Sequence, residues 1–307
     1  MNNLPFPYLQ NVSLSQLSTF AIGGLAKKYI PLATIPDLVK VLNYLWQNSL
    51  PFQIFSGGSN IVFPDQGLDE ILIHLKDGSL EVRDNLLTAD SGVKLTQVIN
   101  FAIKNGLSGL ENLSGIPGST GGAVVGNAGA YGSSVSDVIQ EVNIWDKGRV
   151  YWINKKDCYF TYRESIFKKK KRVILKVKLR FKKGNKNNLL SISRQIINKR
   201  RVKYKEGLRC PGSFFKNILV TDLFQSVLEK IDSSKIVFGK IPAGILLESV
   251  GAKGMKIGEI EIASFHGNLF INNGQGTAAD VKKLAEILKK KVYQKFGILL
   301  EEEIRYF

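Results

Sequence analysis

Residues 115–132 of this 307-residue chain read GIPGSTGGAVVGNAGAYG, with seven glycines in eighteen positions. No charged side chain occurs between Asn112 and Ser136. Glycine allows the backbone to approach a ligand closely and to present N–H groups to it. A flexible linker is the alternative, but the interleaved Ile, Val, Ala and Tyr residues argue against it. We therefore predict that this glycine segment contacts a ligand through its backbone.

A shorter glycine turn, SGGSN at residues 56–60, follows a predicted strand at 52–55. It lacks the Gly-Lys-Ser/Thr ending of a P-loop and the Gly-x-Gly-x-x-Gly of a Rossmann fingerprint. A Gly-Gly turn after a strand is as typical of a hairpin as of a phosphate site. The turn is a candidate anion cradle, and both interpretations remain open on this pattern alone.

Helical and strand-like patterns surround both turns. Amphipathic helices are predicted at 38–45 and 95–103, and strand-like stretches recur at 71–75, 138–145 and 172–181. This mixture indicates an α+β or α/β class. Near the end of the chain, Asp280 opens a further helix that Gly297 stops.

A strand-like stretch, 298–307, ends the chain and contains Glu301, Glu302 and Glu303 in succession. Side chains alternate along a strand, so Glu302 faces one way and its two neighbours face the other. A carboxylate that faces inward is costly without a purpose. One of the three glutamates is therefore a candidate functional acid.

The composition is that of a globular protein, with 44% hydrophobic and 22% charged residues, which excludes a disordered or collagen-like chain. The length predicts about two domains, because single cores stop growing near about 250 to 300 residues. No apolar run approaches the ~18 residues that cross a bilayer, and the N-terminus has no signal-peptide pattern. We expect a soluble, cytoplasmic protein without membrane insertion.

Cysteine and histidine are scarce, which limits the chemistry that the chain can support. The cysteines are Cys158 and Cys210, too few for a disulfide framework, and the histidines are His74 and His266. A zinc site or a Ser-His-Asp triad is thus poorly supplied. We expect no metal site.

The net charge of +17 is concentrated in one segment. Residues 168–209 carry eighteen basic residues and one acid, Glu206, and the rest of the chain is balanced. This basic segment could attract nucleic acid or a phosphate-bearing substrate. For the run Lys168–Arg172 a solvated face is the favoured interpretation. The later cations are harder to dismiss because they approach a motif at residue 211; they are Lys199, Arg200, Arg201 and Arg209.

Two short motifs flank the basic segment. In Tyr162-Arg163-Glu164-Ser165, the arginine could bind a carboxylate bidentately, with a surface arginine as the alternative. In PGSFFKN at residues 211–217, Ser213 occupies a tight turn. Nothing local supplies the base that a nucleophilic serine requires, so Ser213 is a turn residue or a proton donor.

In family order, these motifs resemble the flavoprotein family of UDP-N-acetylenolpyruvoylglucosamine reductase, also called UDP-N-acetylmuramate dehydrogenase or MurB. The resemblance runs from about residue 17 to residue 307, in the shorter subgroup that lacks an inserted loop after Tyr-Arg-Glu-Ser. It rests on SGGSN at 56–60, the glycine segment, YRES at 162–165, GSFFKN at 212–217, GAKGMKIG at 251–258 and EIR at 303–305. The family usually has Pro, Ala and Pro where this chain has Ile218, Gly267 and Glu302, which affects local loop shape.

The resemblance implies an α+β fold. An FAD-binding domain at 1–187, with subdomains at about 1–75 and 76–187, is of the kind shared with vanillyl-alcohol-oxidase flavoproteins. A substrate-binding domain at 188–307 follows it. The implied FAD contacts are Ser56, Gly57, Gly58, Ser59, Asn60, Ile116, Pro117, Gly118, Ser119, Gly121, Gly122, Asn127, Gly129, Ala130 and Tyr131. Backbone N–H groups can bind a diphosphate without positive side chains if they converge.

The resemblance also implies the reaction. NADPH would reduce bound FAD, and hydride would pass from the flavin to C3 of the enolpyruvyl ether of UDP-N-acetylglucosamine enolpyruvate. Arg163 would stabilise the negative charge that develops, Glu303 would complete the site as a polarising or protonated acid, and Ser213 would give a proton to C2. The product is UDP-N-acetylmuramate, a peptidoglycan precursor. The implied substrate contacts are Tyr162, Arg209, Lys216, Asn217, Lys253 and His266.

Two alternatives stand beside this reading. A related FAD oxidase would use oxygen and need no NADPH, but the motifs between Gly212 and Gly258 argue against it. A nucleic-acid-binding protein would use the basic segment and would bind with strong salt dependence. It leaves the glycine segment and the final glutamates unexplained. We therefore expect no nucleic acid and no obligate protein partner.

Overall fold

The computed structural model describes residues 4–307 and divides into two compact units. The first unit contains residues 4–12 together with Ala26–Gly58 and Leu68–Val202, and the second contains Ser13–Leu25, Ser59–Gly67 and Lys203–Phe307. The expected boundary at 187/188 falls inside a continuous helix, Lys186–Lys203, and the longest segment of the second unit begins at the last residue of this helix. Ser13–Leu25 and Ser59–Gly67 belong to the second unit, although most of that unit lies far from them in the sequence. Only contacts between residues that are distant along the chain place them there.

A parallel sheet and one helix form the first layer of the first unit. Leu68–Leu75 lies between Leu25–Leu32 and Phe52–Phe55 and pairs in parallel with both. The helix Ile35–Gln47 begins where the Thr34 side chain accepts a hydrogen bond from the N–H of Asp37, an N-cap. Its apolar face is buried against the sheet, as the sequence pattern predicted; the residues are Leu38, Val41, Leu42 and Leu45.

An antiparallel sheet forms the second layer. Its five strands lie in the order Arg149–Asn154, Ile139–Asp146, Val173–Arg180, Leu86–Asp90 and Leu80–Arg83. The helix Leu95–Lys104 packs its predicted apolar residues into the core of this layer. The strand Val173–Arg180 of the basic segment therefore alternates in burial along its second half, where Val177 and Leu179 are buried while Lys176 and Lys178 are not.

The second unit packs a long helix on a small sheet. The antiparallel strands are Lys256–Ile257, Ile260–Ile262 and Phe270–Asn272. The helix Ala278–Phe296 has a capping box between Thr277 and Asp280 and ends at Gly297 with φ 74°, a left-handed C-cap. The predicted terminal strand is mostly irregular, since only Arg305–Tyr306 forms a strand, which pairs in parallel with Ile61–Val62.

The remaining regular elements are short. The helices are Thr120–Val125, Ile166–Lys169, Gln225–Leu228 and Ala243–Ser249, and the strands are Val12–Ser13, Leu107–Ser108, Gly129–Ala130, Ser133–Ser134, Lys182–Lys183, Ile218–Leu219 and Lys240–Ile241. Six 3₁₀ turns lie at Leu14–Leu17, Glu111–Leu113, Val135–Asp137, Lys155–Cys158, Val220–Asp222 and Ser233–Lys235. Within residues 4–307, no helix has the length and apolar character needed to cross a membrane.

Candidate active site

The two glycine turns of the first unit meet through their backbones. A Cβ atom on Gly57 would lie 2.5 Å from Cα of Gly118 and 2.8 Å from the backbone nitrogen of Ser119. Only glycine fits at such a distance. Gly58 and Gly118 have positive φ angles of 60° and 108°, which favour glycine for a second reason. This contact, the glycine cradle, decides between the two interpretations of SGGSN: Ser56, Gly57 and Gly58 follow a parallel strand and do not form a hairpin.

Hydrogen bonds show which N–H groups the cradle can offer. The N–H of Ile116 donates to Leu113, that of Thr120 to Val93 and that of Gly121 to Ser91. The N–H of Gly122 donates to Oγ of Ser119, the N-cap of the helix Thr120–Val125. Among the described residues, the N–H groups of four cradle residues donate to no other group; they are Gly57, Gly58, Gly118 and Ser119. Between Ile116 and Gly122, the described N–H groups that remain available to a ligand are therefore those of Gly118 and Ser119.

The cradle fits a bound diphosphate. Its donors are backbone amides on two touching turns, and no charged side chain interrupts the glycine segment. The hydroxyl of Ser114, which directly precedes the segment, is 2% exposed and has no partner within residues 4–307. A buried polar atom without a partner is unusual in a finished site. The touching backbone turns, the uncharged glycine segment and the buried Ser114 hydroxyl together fit a bound FAD diphosphate.

The second half of the glycine segment is tied to the Tyr162–Ser165 motif. The Asn127 side chain donates to the carbonyl of Thr161 at 2.8 Å and accepts from the N–H of Ser136 at 3.2 Å. Asn127 therefore joins two loops, and its amide is engaged within the protein. Gly129–Ala130 is a two-residue strand. Tyr131, the next residue, is 40% exposed and has φ 49°.

Arg163 is held at the end of this arrangement. It has φ 57° in a tight turn, and its Nη2 donates to the carbonyl of Gly129 at 2.7 Å. The guanidinium lies 5.2 Å from the ring centre of Tyr162, a cation–π distance. Lys168 donates to the Arg163 carbonyl at 2.5 Å and pairs with Glu164 at 3.0 Å. Lys168 thus fixes this turn.

Ser213 in the second unit has two polar neighbours that the sequence did not reveal. Nζ of Lys203 lies 3.1 Å from the Ser213 hydroxyl, and the Tyr204 hydroxyl lies 3.2 Å from it. Between them the chain reverses through Gly207 and Gly212, with φ 80° and 90°. Those glycines are a weak signal for the reversal. Nothing in the spacing identifies which residues of a basic run return to the serine.

The final glutamates are sorted by their partners. Glu301 pairs with Lys216, and Glu302 lies 2.6 Å from Nζ of Lys289. The N–H of Glu303 donates to the carbonyl of Phe214 at 2.8 Å, which places its backbone beside the residue that follows Ser213. The side chain of Asn60 donates to the Glu303 carbonyl at 3.1 Å. Ion pairs within the protein therefore engage both Glu301 and Glu302.

The predicted substrate contacts of the second unit have protein partners of their own. Lys253 forms an ion pair with Glu248 at 2.8 Å, and the Asn217 side chain accepts from the N–H of Ala243 at 3.2 Å. Lys216 is 7% exposed, so it is held inside the protein. Arg209 is exposed, and its Nη1 donates weakly to Gly274 at 3.3 Å.

His266 lies in the same region as Ser213. Its Nδ1 accepts from the N–H of Asn268 at 3.1 Å. Burial and the nearby Lys203 ammonium lower its pKa from 6.5 to about 4, and Glu248 acts in the opposite direction. The imidazole is therefore neutral at pH 7.

Ion pairs absorb part of the basic segment. Lys168, Arg172, Lys176 and Lys178 pair with Glu164, Asp146, Asp90 and Glu141. Lys169, Lys170 and Lys171 are exposed. The run from Lys168 to Arg172 is thus a solvated face only at its centre.

Two family models match the chain. The model described as an FAD binding domain matches residues 26–154, and the C-terminal domain of UDP-N-acetylenolpyruvoylglucosamine reductase matches residues 203–307. The reductase of that name from Solibacter usitatus is 36% identical over 294 residues, covering 95% of this chain and 94% of that protein. The chain belongs to the UDP-N-acetylenolpyruvoylglucosamine reductase family.

Other relatives agree. The UDP-N-acetylenolpyruvoylglucosamine reductase of Caldicellulosiruptor saccharolyticus is 31% identical and covers 100% of this chain and 94% of its own length. The crystal structure of the Thermus caldophilus enzyme superposes with a TM-score of 0.75 at 25% identity, covering 98% of both chains. The predicted family, the α+β class and the FAD-binding domain are thereby confirmed. The C-terminal family match begins at Lys203, where the longest segment of the second compact unit also begins.

Proposed function

We propose that this protein reduces the enolpyruvyl group of UDP-N-acetylglucosamine enolpyruvate with NADPH, giving UDP-N-acetylmuramate for peptidoglycan precursor synthesis. The chain is a flavin-dependent oxidoreductase of the reductase family. The observation that carries the proposal is the Ser213 hydroxyl, which lies within hydrogen-bond distance of both Lys203 and Tyr204. A serine placed between an ammonium and a phenol is suited to give up a proton.

Bound FAD supplies the transfer of hydride from NADPH to C3 of the substrate. The chain's contribution is to hold that group, with the N–H groups of Gly57, Gly58, Gly118 and Ser119 on the diphosphate. Asn127 keeps the glycine segment and the Tyr162–Ser165 turn together. The remaining predicted FAD contacts surround these donors and stay part of the proposal.

Ser213 gives its proton to C2 of the substrate. A serine hydroxyl is a poor acid in water, so the alkoxide that it leaves must be stabilised. The ammonium of Lys203, 3.1 Å away, supplies a positive charge at that oxygen. The Tyr204 hydroxyl, 3.2 Å away, can return a proton to the serine after the reaction.

Arg163 and Glu303 act on the charge that develops in the substrate. Negative charge spreads from C2 into the substrate carboxylate, and a guanidinium binds a carboxylate bidentately. The bond from Arg163 to Gly129 fixes the guanidinium before substrate arrives, so little reorganisation is needed during the reaction. Glu303 completes the site as a polarising or protonated acid that acts on the substrate. Tyr162, Arg209, Lys216, Asn217 and Lys253 are proposed to line the substrate site.

Lys253 is the cation that we assign to the substrate diphosphate. Its ammonium and the carboxylate of Glu248 are both more than a third exposed, so their ion pair is weak. A diphosphate can therefore take over this lysine. Because NADPH and UDP-sugars are cytoplasmic metabolites, we propose that the protein works in the cytoplasm.

An anaerobic titration in one cuvette tests this proposal. The purified protein should show a flavin absorption band that bleaches with NADPH and returns when the UDP-linked enolpyruvyl sugar is added. Return with oxygen alone, and none with the sugar, would identify an oxidase instead. No flavin band after incubation with FAD would overturn the cofactor assignment.

A further inference from the structure

We propose that His266 is a positioning residue, whose Nδ1 fixes the turn that clamps the backbone directly after Ser213. The inference rests on the proposed role of Ser213 as a proton donor. It replaces a direct substrate contact by His266 with an indirect action through Asn268.

Asn268 forms the clamp. Its carbonyl accepts from the N–H of Phe214 at 3.1 Å, and its side chain accepts from the N–H of Phe215 and donates to the Phe215 carbonyl, both at 2.8 Å. Asn268 is 2% exposed, so these bonds do not compete with water. Ser213 itself forms a bridge with Leu269. The position of the serine backbone therefore depends on where Asn268 lies.

His266 determines where Asn268 lies. The N–H of Asn268 donates to Nδ1 of His266, and the N–H of Leu269 donates to the His266 carbonyl at 3.2 Å. A side-chain acceptor that receives the N–H two residues later is the arrangement of an Asx turn. The imidazole thus performs here what an asparagine side chain does in such turns.

The ring is seated against a helix. A Cβ atom on Gly244, in the helix Ala243–Ser249, would lie 3.3 Å from Cε1 of His266, and one on Gly267 would lie 2.6 Å from Cγ of Glu248. The ring and the turn have little freedom to move away. The charged groups that face the ring are Lys203, Glu248 and Lys253. Because burial and Lys203 hold the ring neutral, Nδ1 keeps the lone pair that Asn268 needs.

Two substitutions of one residue separate this role from others. In His266→Asn, the side-chain oxygen takes the place of Nδ1 and restores an Asx turn. In His266→Gln, the extra methylene moves the acceptor away from Asn268. We expect reoxidation of NADPH-reduced enzyme by the enolpyruvyl sugar to be about tenfold slower in His266→Gln than in His266→Asn, the loss of one buried hydrogen bond. Reduction by NADPH should be equal in both.

A second readout does not use activity. Hydrogen exchange of the peptide covering residues 211–217 should be faster in His266→Gln than in His266→Asn, because Phe214 and Phe215 lose a firmly placed acceptor. Gly244→Ala, which presses on the ring without removing the acceptor, should fall between the two.

The inference is overturned if His266→Gln and His266→Asn show the same exchange and the same reoxidation rate. It is also overturned if both variants raise KM for the sugar at unchanged kcat, because the ring would then contact substrate directly. If the exchange difference appears but the wild-type flavin is not reoxidised by the sugar, the clamp stands and the proposed function fails.

Discussion

The glycine cradle and the Ser213 site use different chemical groups of the protein. The cradle consists of backbone on two turns that touch at Gly57 and Gly118, in a stretch without charged side chains. The Ser213 site consists mainly of side chains, with Lys203 and Tyr204 at the hydroxyl and the His266–Asn268 turn on the backbone that follows the serine. The difference follows the tasks. A fixed diphosphate needs donors at constant positions, whereas a proton transfer needs groups whose charge responds during the reaction.

This contrast predicts two kinds of failure. A change in the cradle alters how tightly the flavin is held, because it changes the space between two backbones. A change around Ser213 alters one step of the reaction, because the flavin does not depend on that hydroxyl. The following variants test this separation.

Ser213→Ala should have the largest effect. Loss of the proton donor slows reoxidation by the enolpyruvyl sugar by about 10²- to 10⁴-fold, the usual contribution of general acid catalysis. Reduction by NADPH and FAD content should not change. Stopped-flow absorbance at the flavin band measures both half-reactions. Ser191→Ala, on the exposed face of the helix Lys186–Lys203, is the matched control; normal reoxidation in Ser213→Ala would remove the serine from the mechanism.

Lys203→Met and Tyr204→Phe measure separately what each of the two neighbours of the Ser213 hydroxyl contributes to proton transfer. Removing the ammonium costs a hydrogen bond to a charged group, so reoxidation should slow by about 10- to 100-fold. Removing the phenol oxygen costs a neutral bond and should slow it by less than about tenfold. Single-turnover reoxidation of pre-reduced enzyme measures both. The reverse order would make Tyr204 the principal partner of Ser213.

Gly57→Ala should weaken FAD binding by about tenfold. Its methyl group would lie 2.5 Å from Cα of Gly118, and overpacking of this kind costs about 1 to 3 kcal/mol. Fluorescence titration of the apoprotein with FAD gives the Kd. Gly126→Ala is the control, since a Cβ there meets its nearest neighbour at an ordinary 3.7 Å. Equal FAD affinities in the two variants would mean that the cradle does not hold the flavin.

Both histidines should make stability fall in acid, and each unit contains one. The pKa of His74, which burial lowers, and that of His266 are each about 4 in the folded protein, below the 6.5 of the unfolded chain. Between these values the unfolded chain binds more protons, so the free energy of unfolding decreases as the pH falls from 6.5 to 4.

Thermal unfolding of the FAD-free protein at pH 7 and pH 5 measures this effect. Tm should drop at pH 5, by a few degrees for each kcal/mol lost. His74→Asn and His266→Asn should each reduce that drop, and the double variant should reduce it further. A drop that persists unchanged in the double variant would assign the acid sensitivity to carboxylates.

The smallest effect should come from charge outside both sites. Changing Lys169, Lys170 and Lys171 to Gln removes exposed cations but keeps Lys168, whose bonds fix the Arg163 turn. If these cations attract anionic substrates, kcat/KM at low salt should fall by about two- to threefold and its ionic-strength dependence should weaken. An ionic-strength dependence identical to wild type would show that this face is only solvated.

Much of the fold was predictable because its signals are local. The apolar faces of Ile35–Gln47, Leu95–Lys104 and Ala278–Phe296 repeat at helical spacing, and Gly297 marks the end of the last. Its start was predicted at Asp280, but the helix begins two residues earlier, after the N-cap Thr277. The terminal strand was not predictable in extent, because only Arg305–Tyr306 finds a partner strand.

The sequence by itself determined the family, and it indicated the glycines, Arg163 and Ser213 as candidate site residues, since both inferences depend on residue type and order. It did not show that the N–H groups of Thr120 and Gly121 donate to carbonyls within the protein. It also did not show that Lys203 and Tyr204 lie beside the Ser213 hydroxyl. Nor did it show that Asn268, 54 residues after Phe214, clamps the backbone at Phe214 and Phe215. Such contacts join residues that are distant along the chain, and only the packed tertiary structure decides which of many similar side chains become neighbours.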